Sequence, residues 1–173
     1  MNLPNRLTLL RILLVPVCLI LAGLGYYWWA AALFLVAGLT DLLDGYLARK
    51  KHLITDFGKF ADPIADKILV LSMSIMLTYK GFLPVWLPII LVFRELAVDG
   101  LRLIAIQQGK VVAAGWSGKI KTTCQMILII YVLVFQGGVL MLPASILVAI
   151  LTVYSGAEYF WKLRGLFKKD LGL

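Results

Sequence analysis

The chain has 173 residues, 62% of them hydrophobic, and a formal net charge of +8, with a mean hydropathy of +0.95. Such apolarity excludes an ordinary soluble domain, and long continuous apolar runs in place of short alternating ones exclude a transmembrane β-barrel. The positive charge falls at alternate ends of the apolar runs, which is the pattern of a polytopic membrane protein and not of a nucleic-acid binder.

Taken in chain order, the apolar runs predict an all-α membrane protein of six transmembrane helices forming one domain, residues 1–173. The spans fall at roughly 6–24, 27–48, 58–79, 84–107, 118–136 and 142–162, each close to the ~20 residues a bilayer requires. The first span has a basic start but a poor cleavage site, and reads as an uncleaved helix. Turn residues mark the breaks: Gly23 and Gly25, Lys80-Gly81, Gln107-Gln108-Gly109-Lys110, and Gln136-Gly137-Gly138. Arg6, Arg11, Arg49, Lys50, Lys51, Lys59, Arg102, Lys110, Lys119, Lys121, Lys162, Arg164, Lys168 and Lys169 gather on one side, against Lys80 on the other. Both termini are therefore expected in the cytoplasm. Tyr26-Tyr27-Trp28-Trp29 would then sit at the outer interface. Cys18 and Cys124 lie within apolar runs, where packing is the expected role.

The second and third spans carry the chemistry. Asp41 and Asp44 lie near the end of one, Asp62 and Asp66 near the start of the next, at i, i+3 and i, i+4 spacing. Each pair shares a side of its helix. The short connection predicts antiparallel neighbours, so all four acids would meet just inside the cytoplasmic face. Clustered carboxylates repel and are costly in an apolar protein. Divalent cations remove that repulsion, and oxygen-only ligands favour Mg²⁺ or Mn²⁺. Four acids balance two such ions, as two-metal phosphate chemistry requires. Gly45, Ala48 and Gly58 permit a close approach, and Arg49 offers a planar fork to a phosphate. The plainer alternative pairs these acids with Arg49, Lys59 and Lys67 as structural ion pairs.

The full pattern, D-x2-D-G-x2-A-R-x8-G-x3-D-x3-D over Asp41 to Asp66, resembles the signature of the CDP-alcohol phosphatidyltransferases. The resemblance implies six transmembrane helices in that family's fold, a homodimer, and an active site open to the cytoplasm of a bacterial cell membrane. It implies attack of a hydroxyl on the diphosphate of a CDP-linked lipid, releasing CMP. Carried over by residue, Asp41, Asp44, Asp62 and Asp66 would ligate two Mg²⁺ or Mn²⁺ ions, with Asp66 also the general base. Gly45, Ala48, Arg49 and Gly58 would line the CDP-lipid site. Asn5 and Thr8 resemble the family's N-terminal polar motif near the nucleotide, and Thr55 would add a hydroxyl there. For Asn5 and Thr8 the rival role is helix capping.

The second half bears on the acceptor. Arg94 lies about 15 Å into the fourth span by helical rise, where an arginine needs a partner or a watery cavity. Arg102, Lys119 and Lys121 gather near the cytoplasmic ends of spans four and five. Together the four would grip an anionic acceptor through its phosphate. The rival role is internal pairing with Glu95 and Asp99. Phe93-Arg94-Glu95 through Arg102, and Gly118-Lys119-Ile120-Lys121-Thr122-Thr123-Cys124-Gln125, look like the corresponding segments of the bacterial synthases in that family that make phosphatidylglycerol phosphate. That likeness implies CDP-diacylglycerol and sn-glycerol 3-phosphate as substrates. Asp99 departs from the small or neutral residue expected at its position. An inositol phosphate or phosphatidylglycerol is the alternative acceptor. Outside the enzyme class, the alternative is a divalent-cation transporter that uses the four acids as its path.

Overall fold

Six helices follow one another in the computed structural model, which describes residues 3–50, 56–108 and 115–166, with side chains described outside 3–4, 41–57, 59–60 and 166. They are α1 (Leu3–Gly23), α2 (Tyr27–Lys50), α3 (Asp56–Tyr79), α4 (Trp86–Gln107), α5 (Trp116–Phe135) and α6 (Met141–Leu163), with a closing 3-10 turn at Arg164–Leu166. The described residues contain no strand. Helix boundaries lie within about three residues of those expected from the apolar runs, because Gly, Pro and charge punctuate the chain where the helices stop. Asn5–Gly23, Trp116–Phe135 and Met141–Leu163 are long and apolar enough to cross a bilayer. Helices α2, α3 and α4 have 24, 24 and 22 residues, which is length enough at ~1.5 Å per residue. They differ from the other three in concentrating ionisable residues, and those are the residues of chemical interest.

The turns are closed locally. The Lys80 ammonium donates to the Gly23 carbonyl at 2.6 Å, satisfying an orphan acceptor at the C-terminus of α1 and placing positive charge at the negative end of its dipole. Between α5 and α6, Gly138 has φ +72°, and a Cβ there would lie 2.6 Å from the Tyr131 hydroxyl. Only glycine suits that position.

The chain divides into two compact units. One comprises Met1–Leu83 with Ile129–Met141, the other Pro84–Leu128 with Leu142–Leu173. In the first unit α1 packs along both α2 and α3. Helices α2 and α3 are also in contact, and the side chains of 41–57, where the two were expected to meet, lie outside the described residues. The reason for the packing of α1 is visible in the stripes these helices bury. Helix α1 buries Asn5, Thr8, Arg11, Val15, Cys18 and Ala22, a three-and-four spacing that makes one continuous face. Helix α3 buries Ala61, Ala65, Leu69, Met73 and Leu77, an unbroken i, i+4 row. Small residues at Ala61 and Ala65 let the helices approach closely. In the second unit Val98 and Ala105 of α4 pack with Tyr159 and Leu163 of α6, and Leu101 joins them.

Candidate active site

The buried face of α1 changes character along its length. Val15, Cys18 and Ala22 are apolar, whereas Asn5, Thr8 and Arg11 put an amide, a hydroxyl and a guanidinium on the same stripe. Polar groups buried in a membrane helix need partners. The Thr8 hydroxyl finds one in α3, donating to the Asp62 carboxylate. Thr8 is fully buried, and Asp62 half-buried, so this contact ties the polar end of α1 to the acidic start of α3. Asn5, Arg11, Gly58, Asp66 and Lys67 are all engaged in polar or electrostatic contacts as well.

Asp62 and Asp66 each follow a residue of the buried row on α3, Ala61 and Ala65. Both are half-buried, so they flank the packed stripe and are not sealed within it. That placement sets both carboxylates beside the stripe, on backbone fixed by its packing. Asp41, Asp44, Gly45, Ala48 and Arg49 lie on the last turns of α2, and their side chains lie outside the described residues, as does Thr55 altogether. Helix α2 buries Ala30, Phe34 and Ala37 in its described part.

The donor set suits a hard divalent cation. Asp62 and Asp66 supply only carboxylate oxygens, one turn apart on one helix, and no cysteine or histidine accompanies them among the described residues of α3.

The second unit holds a different arrangement. Glu95 of α4 accepts from Lys121 of α5 at 2.6 Å and from Arg94 at 3.0 Å, both on the same carboxylate oxygen. Lys121 is only 2% exposed, so the ion pair is what makes its burial tolerable. Two cations share one carboxylate oxygen. Arg102 donates from Nε to the Tyr159 hydroxyl at 3.2 Å, and its guanidinium also lies 5.6 Å from the centre of that ring. Lys119 is exposed and lies over the Trp116 ring at 4.8 Å. The structure therefore brings Arg94 and Lys121 together on Glu95, holds Arg102 against α6, and leaves Lys119 on the surface. Asp99 is half-buried and engaged.

Not every polar group in the helices is a site candidate. Thr40, Ser74, Thr78, Thr122, Thr152 and Ser155 turn their hydroxyls back to carbonyls of their own helices, the ordinary way to satisfy them. The contrast is with the Arg94 Nε, the Gln125 Nε2 and the Ser145 Oγ, which are buried and meet no hydrogen-bond partner. Three residues escaped the sequence reading as site components. Arg11 read as a topology signal, although its i+3 offset from Thr8 puts it on the same face. Tyr159 read as part of an apolar span. Gln125 belonged to a quoted segment but had no role assigned.

With this geometry in place, comparison with known proteins is informative. A family model described as CDP-alcohol phosphatidyltransferase matches residues 1–154, and the chain belongs to that family of membrane proteins. It is similar to the CDP-diacylglycerol–glycerol-3-phosphate 3-phosphatidyltransferase of Bacillus subtilis (strain 168), at 42% identity over 93% of this chain and 94% of that protein. It is 43% identical to a probable phosphatidylglycerophosphate synthase of Mycobacterium tuberculosis (strain H37Rv), over 91% of this chain and 79% of that protein. A Salmonella typhi CDP-diacylglycerol–glycerol-3-phosphate 3-phosphatidyltransferase is 33% identical over 95% of this chain and 96% of its own length.

Proposed function

We propose that this chain transfers the phosphatidyl group of CDP-diacylglycerol to sn-glycerol 3-phosphate, forming phosphatidylglycerol phosphate and releasing CMP. The observation that carries the reading is the 42% identity, over nearly the whole of both chains, to a relative named for that reaction. The complete acidic signature from Asp41 to Asp66 supports it.

In this reading Asp41, Asp44, Asp62 and Asp66 hold two Mg²⁺ or Mn²⁺ ions. Such ions, when bound, neutralise the diphosphate and the developing negative charge. The chain's own residues do the rest. Thr8 fixes the Asp62 carboxylate through the hydroxyl contact, and Asn5 shares the buried stripe facing the nucleotide. Gly45, Ala48, Gly58 and Thr55 line the CDP-lipid site, and Arg49 pairs with the diphosphate as a bidentate fork. Arg94, Arg102, Lys119 and Lys121 bind the acceptor's phosphate. Asp66 accepts the proton of the acceptor's C1 hydroxyl as its oxygen bonds to the β-phosphorus and the bond to CMP breaks. Alignment and charge supply most of the acceleration in such a transfer. The protein acts as a homodimer in the bacterial cell membrane, with both termini and the active site on the cytoplasmic side.

The test is an assay of the purified protein in detergent with CDP-diacylglycerol, Mg²⁺ and labelled sn-glycerol 3-phosphate. Labelled phosphatidylglycerol phosphate and equimolar CMP, both abolished by chelator, are expected. CMP release only with inositol phosphate or phosphatidylglycerol would overturn the acceptor. Absence of CMP with every alcohol would favour the cation transporter.

A further inference from the structure

The buried cluster in the second unit contains more hydrogen-bond donors than it can use. Glu95 Oε1 serves both Arg94 and Lys121, yet the Arg94 Nε and the Gln125 Nε2 remain without a partner. Gln125 is 2% exposed, and so is Lys121. The two stand at i, i+4 on α5, so their side chains emerge one above the other on one face, with Cβ atoms about 6 Å apart. A buried amide nitrogen left without an acceptor is an exception that calls for an explanation. An apolar residue of the same volume would fill the space at no such cost. The unused groups are both donors, so the component that would satisfy them is an oxygen-bearing ligand.

We infer that Gln125 is a specificity-determining residue that binds the non-reacting C2 hydroxyl of the acceptor, next to the phosphate held by Lys121 and Arg94. This rests on the acceptor proposed above. The cations match the phosphate in charge, and the C1 hydroxyl is consumed in the reaction. The C2 hydroxyl is the one polar group of the acceptor left to satisfy. A carboxamide suits it, because it donates and accepts through adjacent atoms and carries no charge to compete with Lys121. A site built to hydrogen-bond a substrate hydroxyl rejects the analogue that lacks it, since its own buried polar group is then left unpaired.

The experiment compares sn-glycerol 3-phosphate with 3-hydroxypropyl phosphate, which lacks only the C2 hydroxyl, as acceptors for the full-length protein in detergent. The wild type is expected to favour glycerol 3-phosphate in kcat/KM by about tenfold or more, the worth of one buried hydrogen bond. Gln125→Leu and Gln125→Met should lose that preference, with KM for glycerol 3-phosphate raised and KM for CDP-diacylglycerol unchanged. Two hydrophobic variants guard against one misfolding, and the wild-type preference is itself decisive. A wild type that uses both acceptors equally overturns the inference, and so does a variant that keeps the wild-type preference. A wild type active only with an unrelated alcohol overturns the proposed acceptor first, and this inference with it.

Discussion

The two polar regions of this molecule solve the same problem in opposite ways. Each puts charge into an apolar helical protein, where charge is expensive. At the junction of α1 and α3 the acids are half-buried, flank a packed row of small residues, and meet a neutral hydroxyl from Thr8. On α4 and α5 the cations are drawn inward and neutralised in part by Glu95, itself mostly buried. The first arrangement sets carboxylates beside a packed row, on backbone held by that packing. The second keeps a pre-formed positive cluster with donors to spare, which suits a small anion. The lesson is that the cost of burial is met in the first region by partial exposure and a neutral hydroxyl, and in the second by one shared carboxylate.

The contrast is tested most severely at Asp66. Asp66→Asn should reduce CMP release by about 10²- to 10⁴-fold, the range for loss of a general base, with an unchanged elution profile in detergent. Retained turnover would remove Asp66 from the mechanism. Chelation should likewise abolish activity and added Mg²⁺ restore it, without unfolding the protein, as circular dichroism through the cycle will report.

Glu95 should behave in the opposite sense. Glu95→Ala removes the carboxylate that the buried Lys121 shares with Arg94, and breaking a buried pair in this way costs about 3–5 kcal/mol. Thermal unfolding in detergent should show a clear loss of stability, while Asp62→Asn, at a half-buried position, should show little. A stable Glu95→Ala protein would mean that the cluster is not structural. The smallest effects are expected where one hydroxyl is removed. Thr8→Val should lower kcat by roughly tenfold, since a hydrogen bond to a charged group is worth about 1.5–3 kcal/mol. Tyr159→Phe should raise KM for the acceptor by only a few-fold, because the ring still lies beneath Arg102.

Much of this was legible in the chain. The six helices follow from apolar run length and from glycine and proline punctuation, and the acids from a signature with fixed spacing. The partners were not legible. Nothing local says that α1 would pack along both α2 and α3, because that depends on which stripes are small enough to pack. Glu95 was visible as a rival partner for the basic residues, but its choice of Lys121, 26 positions away, is set by the packing of α4 on α5. Tyr159 carries no polar signal in an apolar span until Arg102 is placed beside it, and Gln125 shows its significance only when its neighbours prove unable to satisfy it.

The most direct test of the division between donor and acceptor regions is the steady-state kinetics of Arg102→Ala with each substrate varied in turn. The account predicts that KM for sn-glycerol 3-phosphate rises at least tenfold while KM for CDP-diacylglycerol stays within about twofold, as expected for loss of a charge-assisted contact to one ligand only. An equal rise in both constants would contradict it.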